Sequence, residues 1–135
     1  MMETGNKLAH SAITVSVIRK LLHRGASARL ARILAKAYPV EVARLLSALK
    51  GPERSKAFRI LLEGCDVSHV ASVLSEMSPG DSLALLEELE PDQIAKQLSE
   101  MPADDATLLA SRLPEPLAAR VLALMEAEPG LACPI

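Results

Sequence analysis

Five carboxylates carry the chemistry that this chain is equipped for: Glu76, Asp81, Glu100, Asp104 and Asp105. Carboxylate oxygens are hard donors, and a small divalent cation is often held by one or two of them while it keeps several waters. Glu76, Glu88 and Glu100 recur at intervals of twelve residues, so the same place in successive repeats is acidic. If successive helices reverse direction, alternate junctions fall on one side. The five acids then share one edge, and Glu87, Glu88, Glu90 and Asp92 share the opposite one. Such an edge binds a cation weakly and needs a second surface to complete each site. The same residues also have a structural use. Asp81, Asp92, Asp104 and Asp105 fall in first helical turns, where a carboxylate answers free N–H groups and the helix dipole.

Other chemistries lack their residues. His10, His23 and His69 are scattered, with no cysteine or acid at ligand spacing. His69 follows Ser68 near Asp66, but one helical turn cannot assemble a triad with an oxyanion hole. No Gly-rich phosphate loop occurs among the six glycines. Cys65 and Cys133 have no paired spacing, so neither a disulfide framework nor a zinc site is indicated and a reducing cytosol is expected. The methionines sit at core positions or at the start, where they serve packing. The expectation is a protein that is not an enzyme.

The acids must be positioned by helices. Met77, Leu89, Met101, Leu113 and Met125 recur every twelve residues. Each closes an i, i+3, i+4, i+7 unit: Val70/Val73/Leu74/Met77, Ser82/Leu85/Leu86/Leu89, Ile94/Gln97/Leu98/Met101, Ala106/Leu109/Ala110/Leu113 and Ala118/Val121/Leu122/Met125. Only Ser82 and Gln97 interrupt the apolar pattern. That spacing is one face of an α-helix. Prolines at 79, 91, 102 and 114 follow the units and stop them merging, since proline disfavours helix in the residue before it yet suits a helix start.

The first half reads in the same way. Thr14, Val17, Ile18 and Leu21 begin a helix that Gly25 ends. Ser27 is expected to cap a second, with Leu30, Ile33, Leu34 and Ala37 inward. Pro39 opens a third with Val42, Leu45, Leu46 and Leu49 inward, and Gly51-Pro52 starts a fourth with Ala57, Phe58, Leu61 and Leu62, closed by Gly64. Asp66 caps the next. The fold class expected is all-α: a right-handed, α-solenoid-like superhelix of about nine short antiparallel helices, none stable alone. Residues 1–12 should be a frayed N-terminus, 13–127 the repeat domain, and 128–135 a tail or linker.

Half of the residues are apolar but only 1% are aromatic, so the core must be aliphatic. Residues 1–64 carry a net +8 and residues 65–135 a net −10, an asymmetry that concerns partners rather than fold. Arg19, Lys20, Arg24, Arg29, Arg32 and Lys36 form a basic row, but no stacking aromatics or recognition helix accompany it, so no nucleic acid is expected. Pairing with an acidic neighbour, or with the acidic end of another copy as a homo-oligomer, is the reading preferred. No uncharged stretch approaches the ~20 apolar residues that cross a bilayer. Leu8–Ile18 imitates a signal peptide, but Arg19, Lys20, His23 and Arg24 precede the cleavage-like Ala26-Ser27-Ala28. The segment is read as an amphipathic helix and the chain as cytoplasmic.

The run Met101-Pro102-Ala103-Asp104-Asp105-Ala106-Thr107-Leu108-Leu109-Ala110-Ser111-Arg112-Leu113-Pro114 resembles the repeat M-D-P-D-D-A-A-D-L-L-E-E-L-P of the cytosolic N-terminal domain of MgtE-type magnesium transporters. Tyr38-Pro39-Val40-Glu41-Val42-Ala43-Arg44-Leu45-Leu46-Ser47-Ala48-Leu49 looks like that family's H-P-A-D-I-A-E-L-L-E-E-L opening. The resemblance implies a superhelix beneath a membrane pore, docked on CBS-type modules or on the cytosolic face of a transporter and responding to Mg2+. Leu108 stands where the family repeat has a third acid, which removes one ligand and leaves at most weak Mg2+ binding. The chain shows no CBS pair or membrane helices, so it is expected to regulate rather than conduct. The alternative is a cation-independent helical scaffold like flagellar motor switch proteins of the FliG type.

Overall fold

Alternating proline stops and apolar stripes produce short helices joined by very short connections. The computed structural model describes residues 14–127, and the expected frayed segment and tail lie outside them. Among the described residues there are nine helices and no strand. They are α1 (Val15–Arg24), α2 (Ser27–Lys36), α3 (Pro39–Ala48), α4 (Pro52–Gly64), α5 (Val67–Glu76), α6 (Pro79–Leu86), α7 (Pro91–Glu100), α8 (Ala103–Arg112) and α9 (Glu115–Ala127). The protein is all-α.

Local signals account for most helix ends. The Thr14 hydroxyl accepts from the Val17 N–H at 3.3 Å, and Gly25 closes α1 at φ 72°, a conformation that costs glycine nothing. Pro39, Pro52, Pro79 and Pro91 each open a helix. One expectation needs correction. Ser27 does not cap α2; it is the first helical residue, and Ala26 precedes it without a side-chain bond. Gly64 closes α4 as its last helical residue, as expected. A Cβ added there would lie 2.6 Å from the Cβ of Ala31, so glycine is required by the close approach of α2 and α4.

The beat residues also act differently from the helical pattern that revealed them. Met77, Met101 and Leu113 are extended residues just past the helix ends, with ψ of 161°, 158° and 149°. Each still turns its side chain inward and is buried, while its N–H bonds a carbonyl three residues back. The fourth apolar position is thus a hinge pin between helices. Ala37 and Leu49 are likewise extended and buried after α2 and α3, with their N–H groups bonded to carbonyls four residues back.

Packing skips a neighbour. α3, α5, α7 and α9 form one continuous row, each helix resting on the one two places earlier, while α2 with α4 and α6 with α8 make a second layer. One aliphatic core runs through both, from Ile18 to Val121, with Phe58 its largest fully buried side chain. At about 25 cal/mol per Å2 of apolar surface, this burial supplies the drive that helices of some ten residues cannot supply by themselves. The pattern weakens at its end: Leu122, expected inward, is 47% exposed.

Candidate functional site

The two polar interruptions of the beat lie in the core and are resolved differently. Ser82 is buried, and its hydroxyl donates to the Leu74 carbonyl in the last turn of α5, so a helix-end acceptor is met by a side chain of α6. Gln97 is equally buried on α7, but its Oε1 has no partner.

The candidate acids are distributed over the α5/α6 and α7/α8 junctions. Glu76 ends α5, Asp81 lies in the first turn of α6, Glu100 ends α7, and Asp104 and Asp105 lie in the first turn of α8. Glu76, Glu100 and Asp104 are exposed. Asp81 is occupied: its Oδ1 lies 3.4 Å from Nη1 of Arg54, and the α6 cap is Ser78, whose hydroxyl accepts from the Asp81 N–H at 3.4 Å. Asp105 turns toward a pocket of about 150 Å3 between α5, α6 and α8, walled by Met77, Pro79, Leu108 and Leu109, with Ser75 at its lining. The Ser75 hydroxyl is buried without a hydrogen-bond partner. The structure therefore brings Asp105 to the α5/α6 junction, beside the helix end that carries Glu76. It does not gather the acids further: among the described residues no three of His, Cys, Asp and Glu are grouped as a metal ion would need.

The opposite row is less separate than alternation suggests. Glu88 accepts from the Ser55 hydroxyl at 2.8 Å, so Asp81 and Glu88 both reach the first turn of α4, at adjacent residues. Asp81 and Glu88 are seven residues apart, about two helical turns, which places both on the side of α6 that faces α4.

Arg54 was not foreseen from the sequence, yet it is the most engaged polar side chain described. Its Nε donates to the Leu46 and Leu49 carbonyls at 2.9 and 3.0 Å, and its Nη2 donates to the Ser47 carbonyl at 3.0 Å. Those carbonyls belong to the end of α3, which has no partners of its own there, and a cation suits the helix dipole at that end. The signal available was an arginine two residues after the Gly51-Pro52 break, within reach of the preceding helix end. His69 is likewise structural: its Nε2–H donates at 3.0 Å to the Leu34 carbonyl in the last turn of α2.

On the basic half, Arg19 pairs with Glu53 at 2.9 Å, and His23 lies 3.6 Å from the same carboxylate. Arg24, Arg29 and Arg32 are exposed. An open hollow of about 590 Å3 lies over α1, lined by Ser16, Arg19, Lys20, His23 and Arg24. Burial, and then the neighbouring Asp66 charge, push the Cys65 thiol above its ordinary pKa, away from the reactive thiolate form. Among the described residues no helix is long and apolar enough to cross a membrane.

Compared with known proteins, residues 37–129 match the family model described as the MgtE intracellular N domain. No curated protein matches the chain.

Proposed function

From the premise that this chain belongs to the MgtE intracellular N domain family, we propose that it is a regulatory docking module for magnesium ion transport, without catalytic activity of its own. In this reading divalent cations screen the acidic edge of the α5/α6 and α7/α8 junctions, and the screened edge docks on a CBS-type module or on the cytosolic face of a transporter. The observation that carries it is the family match over residues 37–129, which spans both acidic junctions. The exposed carboxylates of Glu76, Glu100 and Asp104, with Asp105 beside them, suit an ion held by one or two protein oxygens and several waters. Asp81 contributes less, because Arg54 already neutralises it. The partner surface supplies the remaining ligands, in keeping with weak binding to the isolated chain and with leucine at position 108.

The test is a magnesium titration of the labelled protein followed by amide chemical shifts. Glu100, Asp104 and Asp105 should move together at millimolar magnesium and return on chelation. If they stay still while the partner still docks, cation sensing is wrong and a cation-independent scaffold is right. That second reading is favoured by one feature, the use of Asp81 in an internal ion pair. A scaffold would keep its partner affinity unchanged in a chelator.

A further inference from the structure

We propose that the Asp105 pocket is a socket for an arginine side chain, and that the arginine comes from α2 of a second copy of this chain. This does not rest on the magnesium reading. At about 150 Å3 the pocket is roughly half the ~300 Å3 at which sites for drug-sized molecules begin, so it suits one side chain rather than a metabolite. Its walls are apolar at Leu74, Met77, Pro79, Leu108 and Leu109 and polar at Ser75 and Ser82, with the single carboxylate of Asp105. A hydrated divalent ion would use the carboxylate at the rim and leave the apolar walls unused, because it retains its water. A guanidinium on an alkyl stem gains from both parts: the stem lies along the leucines and the weakly hydrated head meets the carboxylate.

The occupant is argued from charge. Residues 1–64 carry a net +8 and residues 65–135 a net −10, so the acidic half that holds the socket faces its complement on every other copy. Arg19 and Arg54 are occupied by Glu53 and Asp81. Arg24, Arg29, Arg32, Arg44 and Arg59 are exposed and take part in no ion pair among the described residues, and of these Arg29 and Arg32 stand together, one turn apart on α2. Asp105 likewise takes part in none. α2 rests on α1 and α4 and meets α5 at His69, in the first turn of that helix, whereas the socket takes Leu74 and Ser75 from its last turn. Donor and socket are therefore different patches of one chain. The association is head to tail, and each pair leaves one donor and one socket free.

The experiment is sedimentation of the full chain in chelator at about 0.01 M and about 0.15 M salt, where the screening length falls from about 30 to about 8 Å. The mean mass should rise with protein concentration at low salt and fall to the monomer at the higher salt. Asp105→Asn alone, and Arg29→Gln with Arg32→Gln, should each stay monomeric. Mixing those two proteins should give a one-to-one pair that grows no further, since only one intact donor and one intact socket remain. Leu108→Arg, at an exposed position, should plug the socket and also abolish association without disturbing the helices seen by circular dichroism. A monomeric wild type at low salt, association of Asp105→Asn equal to wild type, or a mixture that remains monomeric would each overturn the proposal.

Discussion

Replacing Arg54 with alanine should be the most damaging change at any polar residue of this protein. The guanidinium donates to three main-chain carbonyls at the end of α3 while only 18% of its side chain is exposed. Hydrogen bonds to a charged group contribute about 1.5–3 kcal/mol each. The single Nε hydrogen is shared between Leu46 and Leu49, so about two full bonds are lost. Part of that loss is recovered, because water reaches the carbonyls once the side chain is gone. The favourable placement at a helix C-terminus adds up to about 1–2 kcal/mol when partly buried. The net expectation is a loss of about 2–4 kcal/mol. Asp81→Asn isolates the ion pair: at 3.4 Å, with the Asp81 side chain 35% exposed, it should cost about 0–1 kcal/mol. Arg54→Lys keeps the charge but not the planar fork, and should fall between the two. Urea unfolding monitored at 222 nm gives the three values on one scale. Thermal midpoints should move in the same order, by roughly 4 °C per kcal/mol for a domain of this size. A loss of less than about 1 kcal/mol for Arg54→Ala, or a loss matched by Asp81→Asn, would refute the assignment of Arg54 as the pin of α3.

Three further outcomes follow from single observations. Gln97→Leu should be neutral or stabilising by about 1–2 kcal/mol, because it removes a buried oxygen with no partner; clear destabilisation in urea would mean the amide is satisfied. Gly64→Ala should lose about 1–2 kcal/mol despite the better helix propensity of alanine, since its Cβ meets Ala31, and Ala31→Gly should restore stability in a double-mutant cycle. In a Cys133→Ser background, Cys65 should react with a disulfide reagent more slowly than the unfolded chain at neutral pH. Its rate should rise only above the ordinary thiol range, because burial disfavours the thiolate; reaction at the unfolded rate would contradict this.

Helix existence was legible because it depends on neighbours in the chain. Pro39, Pro52, Pro79 and Pro91 open helices where their fixed φ and missing N–H predict, and Gly25 ends one where a left-handed residue is needed. Apolar spacing also marked the buried positions from Val70 to Met101, including the two polar exceptions inside, whereas Ala106 and Ala110 are only half-buried. It misled at Leu122, which is 47% exposed although Val121 beside it is fully buried. A glycine that closes a helix, as Gly64 does, has two possible reasons, a left-handed cap or a close approach. Only the distance to Ala31, thirty-three positions earlier in the sequence, separates them.

The candidate acids show the same division. Their recurrence at helix starts and ends followed from the twelve-residue beat, which is a property of the chain alone. What each acid does was decided by packing between helices two places apart. That packing gave Asp81 to Arg54, set Glu88 against Ser55, and turned Asp105 into a pocket formed by α5, α6 and α8. Periodicity fixes which residues face inward, since it reflects local geometry. Which surfaces then meet depends on shape and charge brought together across the fold, and no spacing in one helix encodes that.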